Sequence, residues 1–314
     1  MNTLEVQVSA VRMLTPVVRE LTLRAVTGRL PAFSSGSHIQ LVMPAGGREM
    51  RNAYSLACDP ADLSAWRIAV RKADASRGGS AFVHRAIEAG MTLRVTRPAN
   101  LFALHATARR HVLIAGGIGI TPFIAHIAEL ERRDADFELH YALRGGLSDA
   151  YASELRESLG PRFHAYDSAC GIAARIDVKR VLAAQPPGAH VYVCGPQSLI
   201  DAVRDAARTL GWAARRVHAE AFAAPAPGTP FTAVLARSGR RVEVAADRSL
   251  LEALEAAGIA VPNLCRGGVC GQCATRHLDG AVEHRDHFLA ADERETHLMP
   301  CVSRACAATL SLDL

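Results

Sequence analysis

Four cysteines near the end of the chain have a spacing that can do chemistry. Cys265-Arg266-Gly267-Gly268-Val269-Cys270-Gly271-Gln272-Cys273 reads C-x4-C-x2-C, and Cys301 follows after 27 intervening residues. This is the ligand spacing of a plant-type [2Fe–2S] cluster. Such a cluster carries negative charge on its sulfurs, so the enclosing loop must aim backbone N–H groups inward. Gly267, Gly268 and Gly271 supply the left-handed or otherwise forbidden backbone angles that this demands. Structural zinc is the competing reading of four cysteines, but zinc sites usually pair two short C-x2-C knuckles. Here three thiols share one glycine-rich loop and the fourth stands alone. Cys306 falls outside the pattern and reads as a packed thiol.

A second chemistry-bearing stretch is Gly116-Gly117-Ile118-Gly119-Ile120-Thr121-Pro122, which follows the apolar run His111–Ala115. Gly117 and Gly119 fit the first two positions of G-x-G-x-x-G, but Pro122 occupies the third, so the dinucleotide fingerprint fails. What remains is a glycine turn after a strand, with Thr121 as N-cap and Pro122 at the first helical position, an arrangement able to meet a phosphate or to be a plain strand-to-helix turn. Cys194-Gly195-Pro196 repeats the device after the strand Val191–Val193. In a doubly wound sheet both loops fall at the carboxyl ends of strands, where ligands bind. Asp167, after the strand 162–166, is placed to accept from a ribose hydroxyl and to repel a 2′-phosphate; the plainer reading is a turn residue. Nearer the start, Arg51-Asn52-Ala53-Tyr54-Ser55-Leu56 lies on an expected strand, and Arg77-Gly78-Gly79-Ser80 opens the only helix of its region. Tyr54 could cover a planar ring and the Gly-Gly-Ser start could cradle a phosphate.

The elements that must position these groups divide the chain into three. Up to about residue 103, six short β-rich runs separated by Gly, Pro and Asp turns suggest a small antiparallel barrel, interrupted by a helix over Ser80–Glu88. Residues 104–224 alternate strand and helix, which predicts a parallel sheet covered by helices. The Pro–Ala run Ala221–Pro230 reads as an extended linker. Residues 229–314 mix strands with one helix over Ser249–Ala257, having Ser249 as N-cap and Gly258 just past its end. The expected fold class is therefore multidomain, all-β followed by α/β and a small mixed domain.

Composition excludes several classes. The 314 residues carry 36 Lys+Arg against 31 Asp+Glu, a net charge of +5 spread along the chain, and aromatics are only 5%, so nucleic-acid binding has little support. With 49% hydrophobic and 21% charged residues the chain is globular. The longest apolar stretch, Val112 to Leu130, holds three Gly, one Pro and one His and is a poor membrane span. No secretory signal is visible at the N-terminus, which leads us to expect a cytoplasmic, reducing location and no membrane partner.

Taken jointly, Tyr54-Ser55-Leu56, Gly78-Gly79-Ser80, Gly116 through Pro122, Cys194-Gly195-Pro196 and the cysteine loop resemble, in order and separation over essentially the full chain, the phthalate dioxygenase reductase family. The resemblance implies an antiparallel FMN-binding β-barrel (1–103), an NAD-binding α/β domain (104–224) and a ferredoxin-like β-grasp domain (229–314). It implies an oxidoreductase passing electrons from NADH through FMN and a [2Fe–2S] cluster to a terminal oxygenase, expected to be a Rieske-type aromatic-ring or O-demethylating enzyme. The alternatives are a cytochrome P450 acceptor and a flavin/iron–sulfur relay subunit of a larger complex. The family commonly has Arg two residues before the Tyr, where this chain has Asn52; either Asn52 or Arg51 would meet the flavin phosphate. The resemblance also places Arg71 near the flavin ring and Phe222 over its second face. Ser55 and Thr121 become candidates to hydrogen-bond the flavin, and Cys194 to sit beside the nicotinamide. Arg266, Arg276 and Arg285 are candidates to dock an acidic partner, against the plainer reading of a solvated face.

Overall fold

The computed structural model describes residues 3–45, 48–74, 78–171, 175–222 and 226–314. Arg77 and the middle of the Pro–Ala run (223–225) lie outside them. The chain forms two compact units, Met1–Phe222 and Ala223–Leu314.

The first unit begins with an antiparallel sheet of β1 (Thr3–Thr15), β2 (Val18–Ala25), β3 (Ser37–Ala45), β4 (Arg48–Ser55), β5 (Trp66–Arg71), β6 (Thr92–Thr96) and β7 (Ala99–Asn100), with α1 (Gly79–Arg85) packed on it. The strand order is β4-β3-β6-β1-β2-β5, with β7 paired to β3. Its end strands β4 and β5 lie against each other, and the Ala57 N–H donates to the Arg67 carbonyl at 2.8 Å, so the sheet curls into a barrel. Alternation sets the interior: Val6 and Val8, Leu21 and Leu23, Ile39 and Leu41, Trp66 and Ile68 are all wholly buried in one cluster.

The same unit continues into a parallel sheet of β8 (Arg110–Gly116), β9 (Phe137–Leu143), β10 (Phe163–Asp167), β11 (Ala189–Cys194) and β12 (Val217–Glu220), ordered β10-β9-β8-β11-β12. Helices α2 (Thr121–Arg132), α3 (Ala152–Leu159), α4 (Val178–Ala183) and α5 (Gln197–Thr209) connect the strands. Both faces are covered, which is why the central strands read as apolar runs. Val112, Ile114, Val191 and Val193 face α4 and α5, whereas Leu113, Ala115, Tyr192 and Cys194 face a second core that includes Phe123 of α2. The order reverses at β8, so the loops after β8 and β11 flank the switch point. Two elements of this parallel-sheet region had no place in the sequence reading: α4, capped by the Asp177 side chain accepting from Arg180 N at 3.0 Å, and the four-residue edge strand β12.

The second unit contains β13 (Phe231–Leu235), β14 (Arg241–Val244), α6 (Leu250–Ala256), β15 (Thr275–Asp279), β16 (Val282–Glu283), β17 (His297–Leu298), β18 (Arg304–Ala305) and β19 (Thr309–Leu312). Its main sheet runs β14-β13-β19-β15-β17, with β13 and β19 parallel and the other pairs antiparallel. Ser249 caps α6 as the sequence suggests, in a full capping box with Glu252. Gly258, at φ +76°, ends it, with Ile259 N–H bonded back to the Leu254 carbonyl at 2.9 Å.

Candidate redox sites

The two glycine loops of the parallel sheet touch backbone to backbone. A Cβ on Gly119 would lie 2.2 Å from the Cys194 carbonyl oxygen, and one on Gly195 would lie 2.9 Å from Gly116 Cα. Glycine is therefore demanded by the crossing of the loops, and Gly116, Gly119, Gly195 and Pro196 form one surface at the carboxyl ends of β8 and β11, while Gly117 faces Ser148. Thr121 differs from expectation. A short 3-10 turn, Gly117–Ile120, intervenes, Thr121 is already inside α2, and its hydroxyl donates to the Ile118 carbonyl at 3.1 Å instead of capping; Pro122 then sits at the second helical position. Cys194 is wholly buried, and burial, followed by the charge of Glu220, pushes its thiol up, so it is a neutral S–H.

Glu220 was not singled out from the sequence, yet it joins two residues that were. It is paired in register with Cys194, and Ser55 of the barrel donates to its carboxylate at 3.2 Å. The only local signal was an acidic residue two positions before Phe222, at the end of a strand too short and too polar to recognise. Phe222 itself is 43% exposed, an aromatic ring outside the cores.

On β4 the alternation separates Arg51 from Asn52. Arg51 is bonded to Glu49 (Nε 3.1 Å, Nη2 2.8 Å), whereas Asn52 donates to the Tyr54 hydroxyl at 3.3 Å. A Cβ on Gly79 would lie 2.3 Å from Asn52 Nδ2, so Asn52 and Tyr54 stand together over the start of α1. Burial pushes the Tyr54 hydroxyl up to about 12, keeping it protonated. Gly78 adopts φ +120° there, and Ser80 Oγ accepts from Ala73 N at 3.1 Å, tying the helix start to the end of β5. Arg71 closes β5, half-exposed, 3.7 Å from Asp74.

Asp167 caps the short turn that follows β10. Its carboxylate accepts from Ala169 N at 2.9 Å and Gly145 N at 3.0 Å, and these bonds hold it below the usual carboxylate range. It thereby knits the loops after β9 and β10 and presents a fixed negative charge.

In the second unit the four thiols form two close pairs, Cys265 with Cys270 and Cys273 with Cys301. Cys273 and Cys301 sulfurs are 3.3 Å apart. The Cys265 thiol is pulled down by its hydrogen bond from Cys270, against burial, and by the N–H groups of Gly267, Val269 and Cys270; the Gly268 N–H is aimed at Cys301. A loop whose amides converge on sulfur fits an anionic iron–sulfur cluster better than neutral thiols need. Gly268 and Gly271 have φ near +75°, as expected, but Gly267 does not; Arg266 takes a left-handed φ of +54° in its place. Arg266 is buried and grips both carboxylate oxygens of Glu255 at 2.8 and 2.7 Å, so it is not a docking residue. Arg285 is spent on Glu283 and on the Ala226 and Pro227 carbonyls, leaving Arg276 exposed. Cys306 is exposed, not packed. Among the described residues, one set of metal-ligating atoms, on Glu138, His140 and His164, lies within 4.8 Å of one another. Its members already serve one another: His140 bonds Tyr166 and Glu138, each at 2.9 Å, and Glu138 is paired with Arg110 at 2.7 Å.

A family described as 2Fe-2S iron-sulfur cluster binding domain matches residues 234–310, and the N-terminal domain of dimethylamine monooxygenase subunit DmmA-like proteins matches residues 93–217. The chain is 59% identical to the heme-dependent oxidative N-demethylase beta subunit of Ectopseudomonas mendocina (strain ymp), over 99% of each chain. It is 45% identical to the carnitine monooxygenase reductase subunit of Escherichia coli (strain K12), over 99% of this chain and 98% of that one. The solved structure of phthalate dioxygenase reductase, described as a modular structure for electron transfer from pyridine nucleotides to [2Fe–2S], superposes with a TM-score of 0.88 at 33% identity, covering 100% of this chain and 98% of the other. The chain is thus an oxidoreductase with an iron–sulfur domain, and it belongs to the phthalate dioxygenase reductase family of oxygenase reductase subunits.

Proposed function

We propose that this protein takes a hydride from NADH onto FMN and delivers single electrons through its [2Fe–2S] cluster to an oxygenase that attacks an alkylated nitrogen. The observation that carries the reading is the convergence, in one chain, of the crossed glycine loops, the Ser55–Glu220–Cys194 contact and four thiols under inward-facing amides. A bound flavin supplies the conversion of an electron pair into single electrons, since nicotinamide gives up only hydride and a cluster accepts one electron at a time. Asn52, Tyr54, Arg71, Gly78, Gly79 and Ser80 would hold the flavin; the positive φ of Gly78 at the start of α1, with Asn52 beside Gly79, supports this. Ser55 is held by Glu220 and Thr121 lies inside the first turn of α2, both as flavin contacts, with Phe222 as ring cover. Gly116, Gly117, Gly119, Pro122, Cys194, Gly195 and Pro196 would receive the nicotinamide and its phosphates. Cys194, neutral and buried, packs without adding charge beside the ring. Ordering the two rings is the chain's contribution to the rate. Asp167, already anionic, favours NADH by repelling a 2′-phosphate.

The nitrogen preference rests on the names of similar proteins: an oxidative N-demethylase, a carnitine monooxygenase and a dimethylamine monooxygenase subunit. The sequence led us to expect a Rieske-type oxygenase of aromatic rings or methoxy groups; the higher identity to the N-demethylase subunit shifts the reading toward amines. The test is to pair the purified protein with an N-demethylating and with a ring-hydroxylating oxygenase component. Formaldehyde release coupled to NADH consumption with the first and not the second is expected; the reverse would refute the amine assignment. We further assign the protein to the reducing cytoplasm: all eight cysteines are free, and no helix among the described residues is long and apolar enough to cross a membrane.

A further inference from the structure

The segment His284-Arg285-Asp286-His287-Phe288-Leu289 has no place in the cysteine pattern, yet it is laid directly on the cysteine loop. His287 N–H donates to the Gly268 carbonyl at 3.0 Å. A Cβ on Gly268 would come 3.2 Å from Asp286 Cα, and one on Gly271 only 2.4 Å from the Phe288 ring. Gly268 is thus packed between this segment and the fourth cysteine, its carbonyl under His287 and its N–H turned toward the Cys301 sulfur. The Phe288 ring, 49% exposed, lies over Gly271, between the second and third cysteines.

Asp286 holds this segment in shape. Its side chain is wholly buried, and Oδ2 accepts from Phe288 N at 3.2 Å and Leu289 N at 2.9 Å. Arg294 lies 3.5 Å from Oδ2 and donates to the Asp286 carbonyl at 3.0 Å. Oδ1 makes no hydrogen bond but lies 3.6 Å from His284 Nδ1, within ion-pair distance. The carboxylate is thus met by two amides and by Arg294, and what the turn pinned in this way positions is the cysteine loop.

We propose that Asp286 is a positioning residue for the cluster. It folds the 286–289 turn, which presses His287 N–H onto Gly268 and the Phe288 ring onto Gly271, and so fixes the Gly268 amide on the Cys301 sulfur and shields the loop from water. It acts through Gly268 and Phe288, outside the set of four thiols. Outer contacts of this kind typically change metal retention by about 10–100-fold when lost. The inference rests on the four cysteines holding a cluster.

The test uses the full-length protein carrying its iron and sulfide, in wild-type form and as Asp286→Ala, Asp286→Asn and Phe288→Ala. The readouts are the rate of cluster loss to a chelator, followed by visible absorbance, and the electron paramagnetic resonance spectrum of the reduced protein. Asp286→Ala is expected to lose its cluster roughly tenfold faster or more, with altered g-values. Asp286→Asn keeps an oxygen for the Phe288 and Leu289 amides and should stay within about threefold of wild type with a native spectrum, whereas Phe288→Ala, which leaves the buried carboxylate alone, should speed loss by roughly threefold. Asn as disruptive as Ala, or Phe288→Ala indistinguishable from wild type, would overturn the proposal, even if the Ala variant does not fold. Wild-type protein that binds no iron would instead refute the reading of the cysteines themselves.

Discussion

At the scale of single residues, the thiols and Asp167 carry the sharpest consequences. Replacing Cys301 with serine removes the sulfur that Gly268 N–H faces and that lies 3.3 Å from Cys273. We expect the purified variant to lose iron and visible absorbance while its flavin content is unchanged, as measured by iron and flavin assays on the same sample. Asp167→Ser removes a fixed negative charge and its bond to Gly145. The ratio of kcat/KM for NADPH to that for NADH should rise by about tenfold, the size of a 1.4 kcal/mol change in discrimination; an unchanged ratio would remove Asp167 from coenzyme choice. Glu220 illustrates what residue types alone conceal, since nothing in its immediate sequence marks it until the fold sets it beside Cys194 and under Ser55.

At the scale of elements, the crossing of the β8 and β11 loops leaves no space for side chains. Gly119→Ala would force the new methyl against the Cys194 carbonyl, and overpacking of this kind costs about 1–3 kcal/mol or more. A lower Tm together with a higher KM for NADH is the expected outcome. The face of the parallel sheet below this crossing holds a column of imidazoles. His218 bonds His190 at 2.9 Å and stacks on Tyr192, while His126 packs near Phe102 and Tyr192. Burial, reinforced by neighbouring histidines, pulls His111 and His218 down to about 4 and His126 to about 3. Because these folded values lie below the unfolded value of about 6.5, the unfolded chain binds more protons as pH falls. Their contribution is complete above pH 6.5 and is lost as pH falls toward 4. The urea midpoint should therefore decline between pH 7 and 5, and His126→Leu should flatten that decline. Much of this architecture was legible beforehand. β6 shows its period-2 alternation, Leu93 and Val95 buried and Arg94 exposed, and α6 is bounded by Ser249 and Gly258 because caps are local chemistry. What escaped had no local signature: α4 has only six residues, β12 only four, and Arg266 turns inward because Glu255, eleven positions away, is there to receive it.

At the scale of the whole molecule, the boundary after Phe222 separates a unit with the flavin and nicotinamide candidates from one with the four thiols. Each has its own core, so residues 226–314 expressed alone should fold and hold iron, while residues 1–222 should retain NADH-dependent reduction of ferricyanide but not of an oxygenase partner. The most direct test of the account is an anaerobic titration of the intact, metal- and flavin-quantified protein with NADH, followed by absorbance and electron paramagnetic resonance. One flavin and two irons per chain, bleaching of both centres, and a reduced-cluster signal that grows as NADH is added are the expected result. Protein that lacks either centre, or whose colour is unmoved by NADH, would contradict it.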